Sequence, residues 1–92
     1  MPINLESIQP FIGVPVELII QDAQGGDQAH AVKKTVKKAQ HCPDGTHIRL
    51  YFDDFYFLAV PLESTLTANE TEWSAFDMES GLTYIIKKVQ VF

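Results

Sequence analysis

The stretch Ile48-Arg49-Leu50-Tyr51-Phe52-Asp53-Asp54-Phe55-Tyr56-Phe57-Leu58-Ala59-Val60 decides the fold. Aromatic and β-branched residues crowd both sides of a polar Asp53-Asp54 pair, as in two strands joined by a turn. The expected strands are 48–52 and 55–60, with Pro61 closing the second. Leu50 and Phe52 fall on one face and Tyr51 on the other; beyond the turn, Phe55 and Phe57 oppose Tyr56 and Leu58. Both faces are therefore apolar, and a strand that is apolar on both faces has to be covered on both.

Upstream, Cys42-Pro43-Asp44-Gly45-Thr46-His47 places Asp-Gly between two extended runs, a strong hairpin signal. The segment before it is ambiguous. Ala29, Val32, Val36 and Ala39 recur at helical spacing, with Asp27 available as a cap and Pro43 as a stop. Val32, Thr35 and Val36 are β-branched, however, and the segment runs directly into the hairpin, which favours a strand. Val14 to Ile20 reads as a further strand, with Pro15 at its start or on an edge. Residues 21–27 read as a turn-forming loop and residues 63–70 as a polar loop. Residues 71–78 and 82–91 form a last hairpin around Glu79-Ser80-Gly81.

Turn signals this closely spaced predict an all-β small barrel or sandwich of about five or six strands. An α+β fold with one helix at residues 28–40 is the alternative. The 92 residues make a single domain, 1–92, with residues 1–10, which hold Pro2 and Pro10, as an irregular N-terminal arm over the core. The run Phe11-Ile12-Gly13-Val14-Pro15-Val16-Glu17-Leu18, followed by I-R-L-Y-F-D-D and F-L-A-V-P, resembles SH3-like and Sm-like barrels in general character. The resemblance covers about half the chain and implies a small barrel. The Asp/Asn base-binding signature of Sm proteins is missing, so no site residue is carried over.

Composition narrows the function. One cysteine, Cys42, cannot build an internal disulfide framework, and nothing calls for an oxidising compartment. No apolar run approaches the roughly 20 residues needed to cross a bilayer, and the first residues lack the pattern of a secretion signal. The expectation is a cytoplasmic protein without membrane contact, in which the sequon Asn69-Glu70-Thr71 has no significance.

Net charge is −5, which opposes general affinity for phosphate backbones. The charge is unevenly placed: residues 31–50 carry Lys33, Lys34, Lys37, Lys38 and Arg49 against Asp44, while residues 51–81 carry seven acids and no base. Such blocks either make a bipolar surface or pair with one another in the fold.

Catalytic signals are missing. Asp53-Asp54 are adjacent and diverge, whereas acid–base work needs carboxylates that converge in a pocket. There is no phosphate loop or nucleophile elbow, so no enzymatic activity is expected. His41, Cys42 and His47 bracket the Pro-Asp-Gly turn, and Cys42 and His47 should face each other across the hairpin. His30 could add a ligand only by folding back. A structural zinc site wants four ligands, and the familiar paired spacings are missing, so neither metal nor other cofactor is expected.

Two binding readings remain. Tyrosine suits interfaces, since it buries area and keeps a polar tip. Tyr51, Tyr56, Phe55 and Phe57 are the candidate partner-binding residues of a non-catalytic protein-interaction or assembly module, its partner another protein or the chain itself. The alternative is a small nucleic-acid-binding barrel in which the doublets Lys33-Lys34, Lys37-Lys38 and Lys87-Lys88 form a basic patch near stacking tyrosines.

Overall fold

The computed structural model describes residues 3–22 and 31–89. Among these, a one-turn helix, α1 (Leu5–Ile8), and a 3₁₀ turn (Gln9–Phe11) precede eight strands. The strands are β1 (Pro15–Asp22), β2 (Val32–Thr35), β3 (Lys38–His41), β4 (His47–Tyr51), β5 (Phe57–Pro61), β6 (Thr65–Ala68), β7 (Glu72–Asp77) and β8 (Leu82–Lys88). They form one sheet in the order β2-β1-β8-β7-β6 and another in the order β3-β4-β5, and every pairing within the sheets is antiparallel.

Two bent runs join the sheets. Residues 32–41 pair with β1 through β2 and with β4 through β3. The bend falls at Val36, whose carbonyl accepts from Gly13 N at 2.8 Å, and at Lys37, whose amide donates to Tyr51 O at 2.7 Å. Residues 57–68 likewise pair with β4 through β5 and with β7 through β6, turning at Leu62–Ser64. Counted as runs, six strands follow one another around a ring, because β8 pairs with both β7 and β1. The order is that of an up-and-down barrel, with β2, β6, β3 and β5 standing at the edges of the two sheets.

The expected all-β small fold is therefore present, and the described part of the ambiguous segment holds strands β2 and β3 and no helix. A helix at 28–40 would have buried only a thin stripe of two alanines and two valines. As a bent strand the segment satisfies its backbone in both ladders and sends Val36 into the core, fully buried. Residues 28–30, with His30, lie outside the described residues, as does most of the expected 21–27 loop.

Three further expectations are corrected. The N-terminal arm is not irregular beyond Ile3: Asn4 caps α1 by accepting from Ser7 N at 2.9 Å, and the arm packs Ile3, Ile8 and Phe11 into the core. The 63–70 loop contains β6, which the sequence hides because only Leu66 of its four residues is half-buried. Phe55 and Tyr56 belong to the β4–β5 loop, and β5 begins at Phe57.

The core is drawn from both sheets and the arm: Ile8, Phe11, Val16, Val36, Ile48, Leu50, Val60, Trp73, Ala75 and Ile86 are all at most 1 % exposed. Fully burying a large apolar side chain contributes about 1.5–3 kcal/mol. Among the described residues, no helix is long and apolar enough to cross a membrane.

Candidate functional site

Four turns carry the same device. Asp44 Oδ1 accepts from Thr46 N at 3.1 Å, and Asp53 Oδ1 from Phe55 N and Tyr56 N at 2.7 and 2.8 Å. Asn69 Oδ1 accepts from Thr71 N and Glu72 N, both at 2.9 Å, and Asp77 from Glu79 N and Ser80 N, both at 3.3 Å. A short Asp or Asn side chain replaces a backbone acceptor at such turns. Part of the acidic block at 51–81 is thus turn chemistry, and Asn69 of the sequon is one of these caps.

Hydrogen bonds at these turns hold three carboxyls below their ordinary range. Asp44 falls to about 2, chiefly through hydrogen bonds from Cys42 and Thr46. Asp53 is lowered by the Phe55 and Tyr56 amides, with Lys37 and Lys34 adding their field. Asp77 is lowered chiefly by Ser80.

The outer face of the β3-β4-β5 sheet gathers most of the aromatic candidates. Lys38 is opposite Tyr51, which is opposite Phe57; Gln40, Arg49 and Ala59 form the next row. Tyr51 and Phe57 rings lie 5.1 Å apart, tilted by 48°. Lys38 Nζ sits 4.9 Å from the Tyr51 ring centre, and the Arg49 guanidinium 4.6 Å from that of Phe57. Arg49 Nη1 and Gln40 Nε2 donate to Tyr51 Oη at 3.2 and 3.3 Å. Those donors, Arg49 first, hold the Tyr51 phenol below the usual tyrosine value.

Tyr51 is consequently not an exposed docking residue. It is only 9 % exposed, because the long stems of Lys38 and Arg49 and the Phe57 ring lie around it. The covering that the apolar outer face demanded comes from flanking basic side chains on the same sheet. Phe55 and Tyr56 stand out at 84 % and 71 % exposure, with Phe57 at 42 %. Their loop is nevertheless ordered by the two bonds to Asp53 and by Phe52 N donating to Tyr56 O at 2.9 Å.

The lysine doublets do not merge into one patch, since neighbours on a strand point to opposite faces. Lys33 and Lys87 share a row with Glu17 and Glu72, giving alternating charge across four strands, with Lys87 Nζ 3.7 Å from Glu72 Oε1. Lys34 and Lys88 flank buried Val16 in register, and their ammonium groups reach the rings of Phe52 at 5.8 Å and Phe11 at 5.3 Å. Lys34, Lys37, Lys38 and Arg49 are the cations gathered around the β4–β5 loop and its sheet face. Sequence spacing missed this, because Arg49 belongs to no doublet; its alternation with Tyr51 was the available signal.

At the β3–β4 turn, Cys42 and His47 do face each other, with Cys42 N donating to His47 O at 3.0 Å. Asp44 joins them: its Oδ1 accepts from Cys42 Sγ at 2.6 Å and from Thr46 Oγ1 at 2.7 Å. His41 does not, because it is in register with buried Ile48 and so leaves the strand on the other face. A cleft of about 370 Å³ opens over this turn, lined by Cys42, Asp44, His47, Arg49, Phe57 and Ala59.

Comparison of the chain with protein-family models, with curated proteins and with solved structures finds no match.

Proposed function

We propose that the chain is a non-catalytic protein-interaction or assembly module that docks through Phe55 and Tyr56 of the β4–β5 loop, the adjoining Phe57 and the cations around them. One observation carries this reading: two large aromatic side chains are 84 % and 71 % exposed on a loop whose backbone is fixed by Asp53. Exposed aromatic area on a preordered loop favours binding, because little conformational freedom is lost on docking. Aromatic anchors beside arginine are also the composition of interface hot spots.

Lys34, Lys37, Lys38 and Arg49 give the surface a positive rim, so its partner presents an acidic one. A second copy of this chain, at net charge −5, supplies acidic surface of that kind. Contact between two different faces of identical chains is heterologous and extends or closes into a ring. A cytoplasmic setting suits the single free thiol.

Light scattering on the purified chain across a concentration series, in low and in high salt, tests the reading. A concentration-dependent assembly that salt weakens, and that Phe55→Ser with Tyr56→Ser abolishes, supports it. A monomer at every concentration, or an assembly indifferent to the double substitution, rejects self-association.

The placing of cations directly against aromatic rings also favours a second reading, single-stranded nucleic acid, which is bound by stacking platforms within basic grooves. Anisotropy of a labelled oligothymidylate separates the two. Binding that is abolished by Lys37→Glu with Lys38→Glu selects the nucleic-acid reading, and no binding removes it.

A further inference from the structure

We propose that Cys42, Asp44 and His47 form a binding site for a divalent cation of the zinc class, at the β3–β4 turn. Each residue offers a different kind of ligand atom, a sulfur, a carboxylate oxygen and an imidazole nitrogen, and these atoms lie within 4.8 Å of one another. This is a borderline-soft donor set that suits zinc and not calcium or magnesium, which take oxygen.

Counting ligands from the sequence left the site one short and drew on the wrong histidine. The fold removes His41 to the opposite face and adds Asp44, which the turn folds back over the cysteine. Three protein ligands with a fourth position open to a cleft is the arrangement of a site that keeps an exchangeable ligand. The cleft lined by the same three residues provides that opening.

Distances fit with small adjustments. Zinc–sulfur and zinc–oxygen bonds at a tetrahedral angle set the two ligand atoms about 3.5 Å apart. Cys42 Sγ and Asp44 Oδ1 are 2.6 Å apart now, with a thiol proton between them. The cation takes that proton's place, Sγ and Oδ1 separate by about 1 Å, and one proton leaves to solvent as the thiol becomes a thiolate.

The surroundings favour that exchange. His47 N donates to Cys42 Sγ at 3.2 Å, a contact that fixes the sulfur beside the turn. Thr46 Oγ1 lies 2.7 Å from His47 Nδ1 and donates to Asp44 Oδ1, so one hydroxyl orients two of the three ligands. The Asp44 carboxylate and the thiolate together bring two negative charges to a doubly positive ion. Arg49, the cation lining the cleft, is committed to Tyr51 Oη and the Phe57 ring.

The test is titration of the untagged full chain with Zn²⁺ by calorimetry and with Co²⁺ by absorbance. One Zn²⁺ per chain, release of about one proton per ion and a near-ultraviolet thiolate-to-cobalt band are expected. Loss of one ligand should cost at least the roughly 10–100-fold in affinity that loss of an outer-shell partner costs. Cys42→Ser, Asp44→Asn and His47→Gln should each show that loss, and Cys42→Ser should erase the band. His41→Ala should change neither. Circular dichroism confirms which variants are folded, and the exposed Asp44 position keeps the test open if Cys42→Ser is not. Absence of binding, equal affinity in folded Cys42→Ser and Asp44→Asn proteins, or an equal loss in His41→Ala overturns the site.

Discussion

The indole Nε1 of Trp73 donates to Ser7 Oγ at 3.0 Å, tying the middle of the barrel wall to the N-terminal helix across 66 positions of sequence. Trp73 is fully buried, so its indole donor depends on Ser7 for an acceptor. Ser7 Oγ in turn donates to Asn4 O at 2.7 Å, so one hydroxyl closes the helix cap and satisfies the core. A buried donor left unsatisfied costs about 1–3 kcal/mol. Ser7→Ala should lose that much, lowering the melting temperature by about 4–8 °C per kcal/mol. A thermal melt checks it, and an unchanged melting temperature would show that the bond contributes nothing.

The strand architecture was legible because most of its signals are local. Asp-Gly at 44–45 marks a turn that the structure forms with Gly45 at φ 74°, a conformation that suits glycine. The aromatic runs flanking Asp53-Asp54 became β4 and β5. What stayed hidden depends on partners distant in sequence. The choice between helix and strand at 31–41 was settled by two ladders that a single segment cannot announce. The burial of Tyr51 follows from Lys38 and Arg49, which sit beside it only once β3, β4 and β5 are in register. The Cys42–Asp44–His47 grouping needed the fold of the turn, since Asp44 reads in sequence as a turn residue alone.

Ser64 sits at the corner between β5 and β6 at 1 % exposure, and among the described residues its Oγ is the buried side-chain polar atom without a hydrogen-bond partner. A hydroxyl buried without a partner costs stability, and the cost disappears when the oxygen does. Ser64→Ala should therefore leave stability unchanged or raise it by about 1–3 kcal/mol. Denaturant unfolding measures this. A loss of stability would mean that the hydroxyl is satisfied by water or fills space that alanine leaves void.

Acid should unfold the protein through its turns. Asp44 titrates at about 2 in the folded chain against an ordinary 3.8, and Asp53 and Asp77 are shifted in the same direction. Groups depressed on folding stabilise the native state fully above their unfolded value and lose that contribution as pH falls through the folded one. The melting temperature should therefore hold down to about pH 4 and drop between there and pH 2. Asp44→Asn should flatten part of that drop, because the amide oxygen still accepts from Thr46 and no longer titrates. An acid limb as steep in Asp44→Asn as in the parent would assign the loss elsewhere.

Two tyrosines should separate in an alkaline absorbance titration. Tyr51 ionises below the ordinary phenol value because Arg49, and after it Gln40, donates to its oxygen. Tyr84 ionises above it, since burial disfavours its anion and the Asp77 charge adds to that. Tyr51→Phe should delete the lower component and Tyr84→Phe the upper one. Arg49→Ala is the sharper variant, because it keeps both phenols and removes the chief cause of the Tyr51 shift. The Tyr51 transition should then move to higher pH while that of Tyr84 stays in place. If neither moves, the contact between Arg49 and Tyr51 is not holding the outer face of β4 as described.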